Sequence, residues 1–392
     1  MRFDVLDGWR GVAAMMVAAY HFNALHHAYF LPFLRGGYLF VDFFFVLSGF
    51  VITHAYGGRL SSVKDAGVFI LRRFGRVWPL HVAVLGAFAA VEGLRYLMAQ
   101  MNGNANFQPF DTNGATPLAD LPAHIALIHG PGFLPRMTWN YPSWSISAEF
   151  WTYIFFAAVT LAAPARWRQP VLWAFAFFSG AVLLEYSEHG MDVVQGLCLP
   201  RCVLGFVTGL LIFEARQHWS KIQLPAVARW EGPLLVLVAL FISTVGTGPL
   251  SFAAPIVFAA TVFVFSFEAG FVSRCLKKPA FQTLGRHSYS IYMVHVPLVS
   301  IINLALSLQQ TKAGIDPFVV LAGGGRVLGG QSPYVFDIVF VAYLIALPIL
   351  AGLTCRNVED PGRRLFNGWS ENLKNGSTHN ISRPMAPEAA TV

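Results

Sequence analysis

Charge and cysteine are what this chain has least of. Only 12% of its 392 residues are Asp, Glu, Lys or Arg, about half the share usual in soluble domains. Against that stand 55% apolar residues and a mean hydropathy of +0.54. The balance excludes an ordinary soluble enzyme and leaves an integral membrane protein. The four cysteines, Cys198, Cys202, Cys275 and Cys355, lie in apolar segments or at their ends and form no CxxC pair. A disulfide framework is therefore excluded, and no metal is expected. No small-residue cleavage site follows the first apolar run, so that run is read as retained rather than as a removed signal. No repeat of the kind that marks many secondary transporters is visible.

What is present is a series of apolar spans at about 11–31, 37–56, 77–98, 143–163, 170–186, 193–213, 232–248, 252–271, 288–308 and 335–354. Each is near the length a membrane helix needs. The expected fold is all-α, a polytopic transmembrane bundle of about ten membrane-spanning helices. The net charge of +7 is no argument for nucleic acid once the basic residues are sorted by side. With a cytosolic N-terminus, 21 of the 27 Lys and Arg residues fall on inner segments, which places both termini inside. Residues 99–142, rich in Asn, Gly and Pro, are expected as an extracytoplasmic loop with a short helix. The transmembrane domain is assigned to 1–366. Residues 367–392 are read as a disordered cytosolic tail, with no second catalytic domain.

Five constellations carry chemistry. Arg10 and His21 share the first span; eleven residues are about three helical turns and roughly 16 Å of rise. Both side chains thus face one way, with Arg10 at the membrane surface and His21 near mid-bilayer. A neutral imidazole there can accept a proton from a hydroxyl, or can simply tie two helices together. The run Arg72-Arg73-Phe74-Gly75-Arg76-Val77-Trp78-Pro79 is expected at the inner end of the third span. Some basic residues are ordinary there, but three guanidinium groups in five residues suit phosphates, as on coenzyme A. Glu149, about 9 Å in from Ser143 at the head of the fourth span, needs a partner. The choices are an ion pair with Arg136 or Arg95, or an acceptor or catalytic role. Asp42 sits similarly near the outer end of the second span, where Ser48 and Gly49 permit close packing. His295 is a second mid-membrane histidine, whose bland role is to bond carbonyls freed by Pro297. Ser147 is a further candidate, while Glu359-Asp360-Pro361 can be surface charge alone.

Taken together, these residues resemble the integral-membrane acyltransferase family 3. The resemblance runs through the LDGWRG opening with His21, VDFFFVLSGF, RRFGRVWP, WSISAE, SYSIYMVHVP and EDP. It implies an acyl-coenzyme A donor, acetyl-coenzyme A as the first expectation. The implied acceptor is a hydroxyl on a glycan or glycolipid of the bacterial cell envelope, and the implied location is the cytoplasmic (inner) membrane. In that family the histidine matching His21 is taken as catalytic and the arginine matching Arg10 as its partner. The residues matching Arg73, Arg76 and Glu149 are needed for activity. Phe40 stands where the family usually has Gly, and Phe150 where a second carboxylate is common, so none is carried over to position 150. The resulting expectation has coenzyme A phosphates on Arg72, Arg73 and Arg76, with His21 as base and Asp42 and Glu149 at the acceptor. The competing readings are a transporter that uses the same buried groups and an acyltransferase acting on a small molecule or a lipid.

Overall fold

The computed structural model describes residues 3–101, 103, 107–219, 224–321 and 325–375. The apolar helices are α1 (Asp4–Tyr20), α2 (Phe40–Tyr56), α3 (Val63–Met101), α4 (Trp144–Ala162), α5 (Ala165–Tyr186), α6 (Cys198–His218), α7 (Glu231–Thr244), α8 (Ala254–Phe265), α9 (Ser288–Lys312) and α10 (Pro333–Thr354). A π-helical turn at Cys355–Glu359 joins α10 to α11 (Asp360–Asn375). Among the described residues eight helical runs are long and apolar enough to cross a membrane; α1, at 17 residues, and α8, at 12, are shorter. The chain is an all-α polytopic bundle, as its composition requires. Short helices, among them Leu121–Ile125, Phe271–Leu276 and Pro279–Arg286, join these elements, and a hairpin of two short antiparallel strands, β1 (Phe318–Val320) and β2 (Arg326–Leu328), lies near the start of α10.

Three boundaries differ from those expected, the first and the last because of a partner distant in sequence. The first helix ends at Tyr20 rather than near residue 31, because the backbone beyond it is captured by β2. Leu25 N–H donates to Leu328 O at 2.9 Å, and Leu328 N–H to Asn23 O at 3.3 Å. His21 is thus the residue that closes α1, not one inside a span. The third helix begins at Val63, so the arginine run lies well inside a 39-residue helix instead of at its inner end. The polypeptide past residue 366 continues as α11 to Asn375, lying on α3. There Phe366 stacks edge-on to Phe74, and Ser370 accepts a hydrogen bond from Arg72 Nε at 2.8 Å. Residues 376–392, the rest of the expected tail, lie outside the described residues.

Helix α2 is the centre of the bundle, with Phe40, Phe43, Phe45 and Phe50 all buried. It packs on α6 at backbone distance. A Cβ on Gly49 would stand 1.8 Å from Phe206 O, and one on Gly209 would stand 1.8 Å from Val46 O. Gly205 and Gly209 are a small-xxx-small pair, the device by which membrane helices approach without apolar side chains between them. On α1, Gly8 faces the Leu276 carbonyl and Gly11 faces Leu284 and Gly285 at similarly short range. The glycines of the LDGWRG motif therefore dock α1, while Arg10 is left for the cavity. Large apolar side chains on α5, α7 and α10, among them Trp173, Phe177, Val236, Leu240, Ile338 and Ile345, are exposed, as lipid-facing surfaces require.

Candidate active site

Two cavities adjoin inside the bundle, sharing Val41 and Tyr292 as lining residues. The larger, about 170 Å³, is enclosed by α1, α2, α3, α4 and α9. Arg10 enters it from α1, with its Nη1 3.2 Å from Asp7 Oδ1. Arg73 and Arg76, three residues apart and so on one face of α3, enter from a second side. Glu149 and Tyr153, four apart on α4, enter from a third, with the Tyr153 hydroxyl 3.0 Å from Ser48 Oγ. Tyr289 and Tyr292 close the cavity from α9.

Each cation in this cavity has a specific setting. Arg76 is ion-paired through Nη1 to Glu359, whose other oxygen accepts from Ser290 Oγ at 2.7 Å. Its guanidinium also lies 5.4 Å from the Tyr289 ring centroid. Glu359 is therefore not surface charge: its side chain is 1% exposed and fixes Arg76. Arg73 lies over the Tyr56 ring at 5.5 Å, and its Nε is buried with no hydrogen-bond partner. Arg72 is committed to Ser370 on α11 and does not line the cavity, so it stands apart from Arg73 and Arg76. Glu149 forms an ion pair with neither Arg136, which bonds the carbonyls of Asn113 and Thr112, nor Arg95, which pairs with Glu92 at 3.1 Å. It lies among the arginines rather than in the smaller cleft. Arg10 and Arg76 are each paired with a carboxylate and Glu149 stands on the lining, so Arg73 is the guanidinium group that offers its hydrogens to an anion in this chamber.

The smaller cleft, about 20 Å³, is lined by His21 with Tyr20, Tyr38, Tyr141, Trp144, Asp192 and Arg201. The neighbours of His21 fix its tautomer. His295 Nδ1 faces the Tyr292 carbonyl at 2.6 Å, so that nitrogen carries the proton and its Nε2 is a lone pair. His21 Nδ1 lies 2.9 Å from Val17 O and 3.2 Å from His295 Nε2. Both are acceptors, so His21 Nδ1 carries the hydrogen and His21 Nε2 holds the free lone pair. That is the arrangement of a general base held in one tautomer by a neighbour. His295 was legible in the sequence only as a buried histidine; its pairing with His21 needs the fold.

Asp42 takes a different place from the one expected. Arg201, which stands in none of the sequence motifs, donates Nε to Oδ1 at 2.9 Å and Nη2 to Oδ2 at 2.7 Å, with both side chains at most 1% exposed. Both carboxylate oxygens are thus engaged by one guanidinium, which also bonds Val193 O at 3.0 Å. Ser147 likewise serves the scaffold, donating to Leu127 O at 2.6 Å and accepting from Gly130 N–H at 3.1 Å. Ser143 stands at the N-terminus of α4 without capping it, because its hydroxyl donates to Asn140 O at 2.7 Å. Tyr289 and Tyr292 stand in SYSIYMVHVP with nothing in the sequence to give them a role of their own, and Asp192 and Tyr141 stand in none of the motifs.

The fold and these cavities define a polytopic helical membrane protein with an arginine-lined chamber beside a cleft that holds the free lone pair of His21. The model of a family described as an acyltransferase domain matches residues 3–355, and the chain belongs to that family. It is a membrane acyltransferase. A Rhizobium radiobacter protein named as protein 2 of the picA locus is 34% identical over 183 residues, 42% of this chain and 82% of that protein. A Komagataeibacter xylinus protein named "Putative membrane-bound transacylase BcsY" is 25% identical over 78% of this chain and 75% of its own length. A Staphylococcus aureus protein named "Putative O-acetyltransferase" is 23% identical over 76% of this chain. The chain spans about half the length of that staphylococcal relative. No solved structure matches at a significant level.

Proposed function

We propose that the chain transfers an acyl group, acetyl first among the candidates, from acyl-coenzyme A to a hydroxyl of a cell-envelope or exported glycan or glycolipid. The membrane is then the bacterial cytoplasmic membrane. The observation that carries this reading is the junction of the two cavities at Val41 and Tyr292, one cationic and the other holding the lone pair of His21. Arg73, Arg76 and Arg10 take the phosphates of coenzyme A, and the thioester reaches the junction. His21 Nε2 removes the proton of the acceptor hydroxyl as its oxygen attacks the thioester carbonyl. The C–S bond breaks, and the coenzyme A thiolate takes up the proton that His21 holds. His295 and Val17 O keep His21 Nδ1 protonated throughout. Tyr20, Tyr38, Tyr141 and Trp144 give the acceptor cleft the aromatic walls, and Asp192 the acceptor oxygens, that suit a sugar.

The test is transfer from radiolabelled acetyl-coenzyme A into the glycan and lipid fractions of membranes, with parent and His21→Ala chains at matched expression. The parent labels the glycan or glycolipid fraction, and the variant loses about 100- to 10,000-fold, the usual weight of a general base. Labelling that persists in the variant removes His21 from the chemistry. Label confined to simple lipids or to small molecules removes the glycan acceptor.

A further inference from the structure

Apart from the two cavities, three buried histidines meet at one point. His81 belongs to α3, whereas His124 and His129 come from the connection between α3 and α4, in the short helix Leu121–Ile125 and the turns after it. Each is at most 1% exposed. One ring nitrogen from each lies within 4.8 Å of the other two.

Hydrogen-bond partners settle the protonation of all three rings. His81 Nε2 lies 2.9 Å from the His124 carbonyl and must donate. His124 Nε2 lies 3.1 Å from Thr138 Oγ1, whose own hydrogen goes to Asp120 Oδ2 at 2.9 Å, so this Nε2 also donates. His129 Nε2 lies 3.0 Å from Ser143 Oγ, whose hydrogen goes to Asn140 O, and donates likewise. A neutral imidazole with a protonated Nε2 presents a lone pair at Nδ1. All three Nδ1 atoms are buried and lack a hydrogen-bond partner. Buried polar atoms without partners are uncommon and call for an explanation; here three of the same kind belong to one cluster.

We propose that His81, His124 and His129 bind one divalent transition-metal ion through their Nδ1 atoms, with zinc the ion that best suits the donor set. Three neutral imidazoles are a common zinc ligand set, and Nε2–H groups held by carbonyl and hydroxyl oxygens are how such ligands are oriented. The rings stack, His124 on His129 at 4.1 Å and His81 with His129 at 5.5 Å between centroids. Bringing three nitrogens to about 2.0–2.1 Å from one ion takes a tilt about each Cβ–Cγ bond, a torsion with broad minima in histidine. The ion would clamp the 121–143 connection onto α3. That connection is already tied there by Trp78 Nε1 donating to Ile125 O at 2.9 Å, and to α4 by Trp151 Nε1 donating to Leu127 O at 3.0 Å. Its far end supplies Tyr141 and Pro142 to the His21 cleft, so the clamp sets one wall of the acceptor cleft.

The experiment uses the full, untagged chain, purified in detergent and washed with chelator, then titrated with Co2+. The expected result is about one equivalent bound, with the visible absorption of tetrahedral cobalt, and displacement by equimolar Zn2+. His81→Gln, His124→Gln and His129→Gln each abolish the band. His27→Gln, at an exposed histidine paired with Asp337, keeps it. EDTA lowers the melting temperature of the zinc-loaded parent and leaves the three variants unmoved. Absence of the band in the parent overturns the proposal without reference to any variant, and so does a band that survives in the three substitutions.

Discussion

Arg201→Met tests whether Asp42 is an anchor or an acceptor-binding group. The substitution removes the bonds to Asp42 Oδ1 and Oδ2, at 2.9 and 2.7 Å, and leaves the carboxylate with 0% side-chain exposure and no cation. Removing one partner of a buried pair costs about 3–5 kcal/mol, mostly the penalty of the stranded charge. Asp42→Leu strands the Arg201 guanidinium, which keeps its contact with Val193 O and its position 5.3 Å from the Trp144 ring centroid. Its cost falls at the lower end of the same range. The double variant strands nothing, so it should cost far less than the sum of the singles, a coupling of about 3 kcal/mol or more. Unfolding in mixed detergent, followed by the fluorescence of the ten tryptophans, gives the three stabilities. Additive costs would refute the reasoning, because a pair that does not interact cannot be an anchor. Acyl transfer by the double variant decides the functional half: near-parental activity in a folded double variant makes Asp42 part of the scaffold, and lost activity returns it to the acceptor.

Arg73→Gln should raise the KM for acyl-coenzyme A by roughly tenfold with little change in kcat, the mark of lost charge-assisted binding. Arg72→Gln, which loses only the bond to Ser370, should leave the KM within about twofold; steady-state kinetics with purified protein separates the two. Gly209→Ala should destabilise by about 1–3 kcal/mol or more, since its Cβ meets the Val46 carbonyl at 1.8 Å. Gly180→Ala on α5, with nothing within 4 Å, should be neutral or stabilising by about 0.5–1 kcal/mol. Thermal unfolding of the two variants reads both signs. His295→Ala should lower kcat by about ten- to hundredfold while the KM for donor holds, because it frees the tautomer of His21 without touching the cationic chamber; an unchanged kcat would show that Val17 O suffices.

Fold class was legible because a lipid-facing helix must be apolar along its length, and ten apolar stretches correspond to ten helices. Their limits were not. The end of α1 depends on β2, some three hundred residues away, and the start of α3 on polar turns that still tolerate a helix. The same holds within the site. Arg73, Arg76, Arg10 and Glu149 could be grouped from local density and from the need of a buried charge for a partner. Glu359 could not be assigned to Arg76, or Arg201 to Asp42, because each pair joins segments more than a hundred residues apart. The three histidines at 81, 124 and 129 have no metal-ligand spacing at all. Only the return of the connection onto α3 makes them neighbours.

The separation of cation and base follows from α1 being one helix. Gly8 and Gly11 fix it against the chain at Leu276–Gly285, which sets its rotation and aims Arg10 at the chamber. Eleven residues further on, about 16 Å along the axis, the same face delivers His21 to the cleft. The helix stops at Tyr20, so the orientation of the His21 ring depends on two acceptors, Val17 O one turn below and His295 Nε2 across on α9. The distance from Arg10 to His21 is thus set by backbone geometry, and the direction of the His21 ring by a side chain on another helix. Substitutions at Gly8 or Gly11 should therefore disturb donor and base together, whereas those at His295 disturb the base alone.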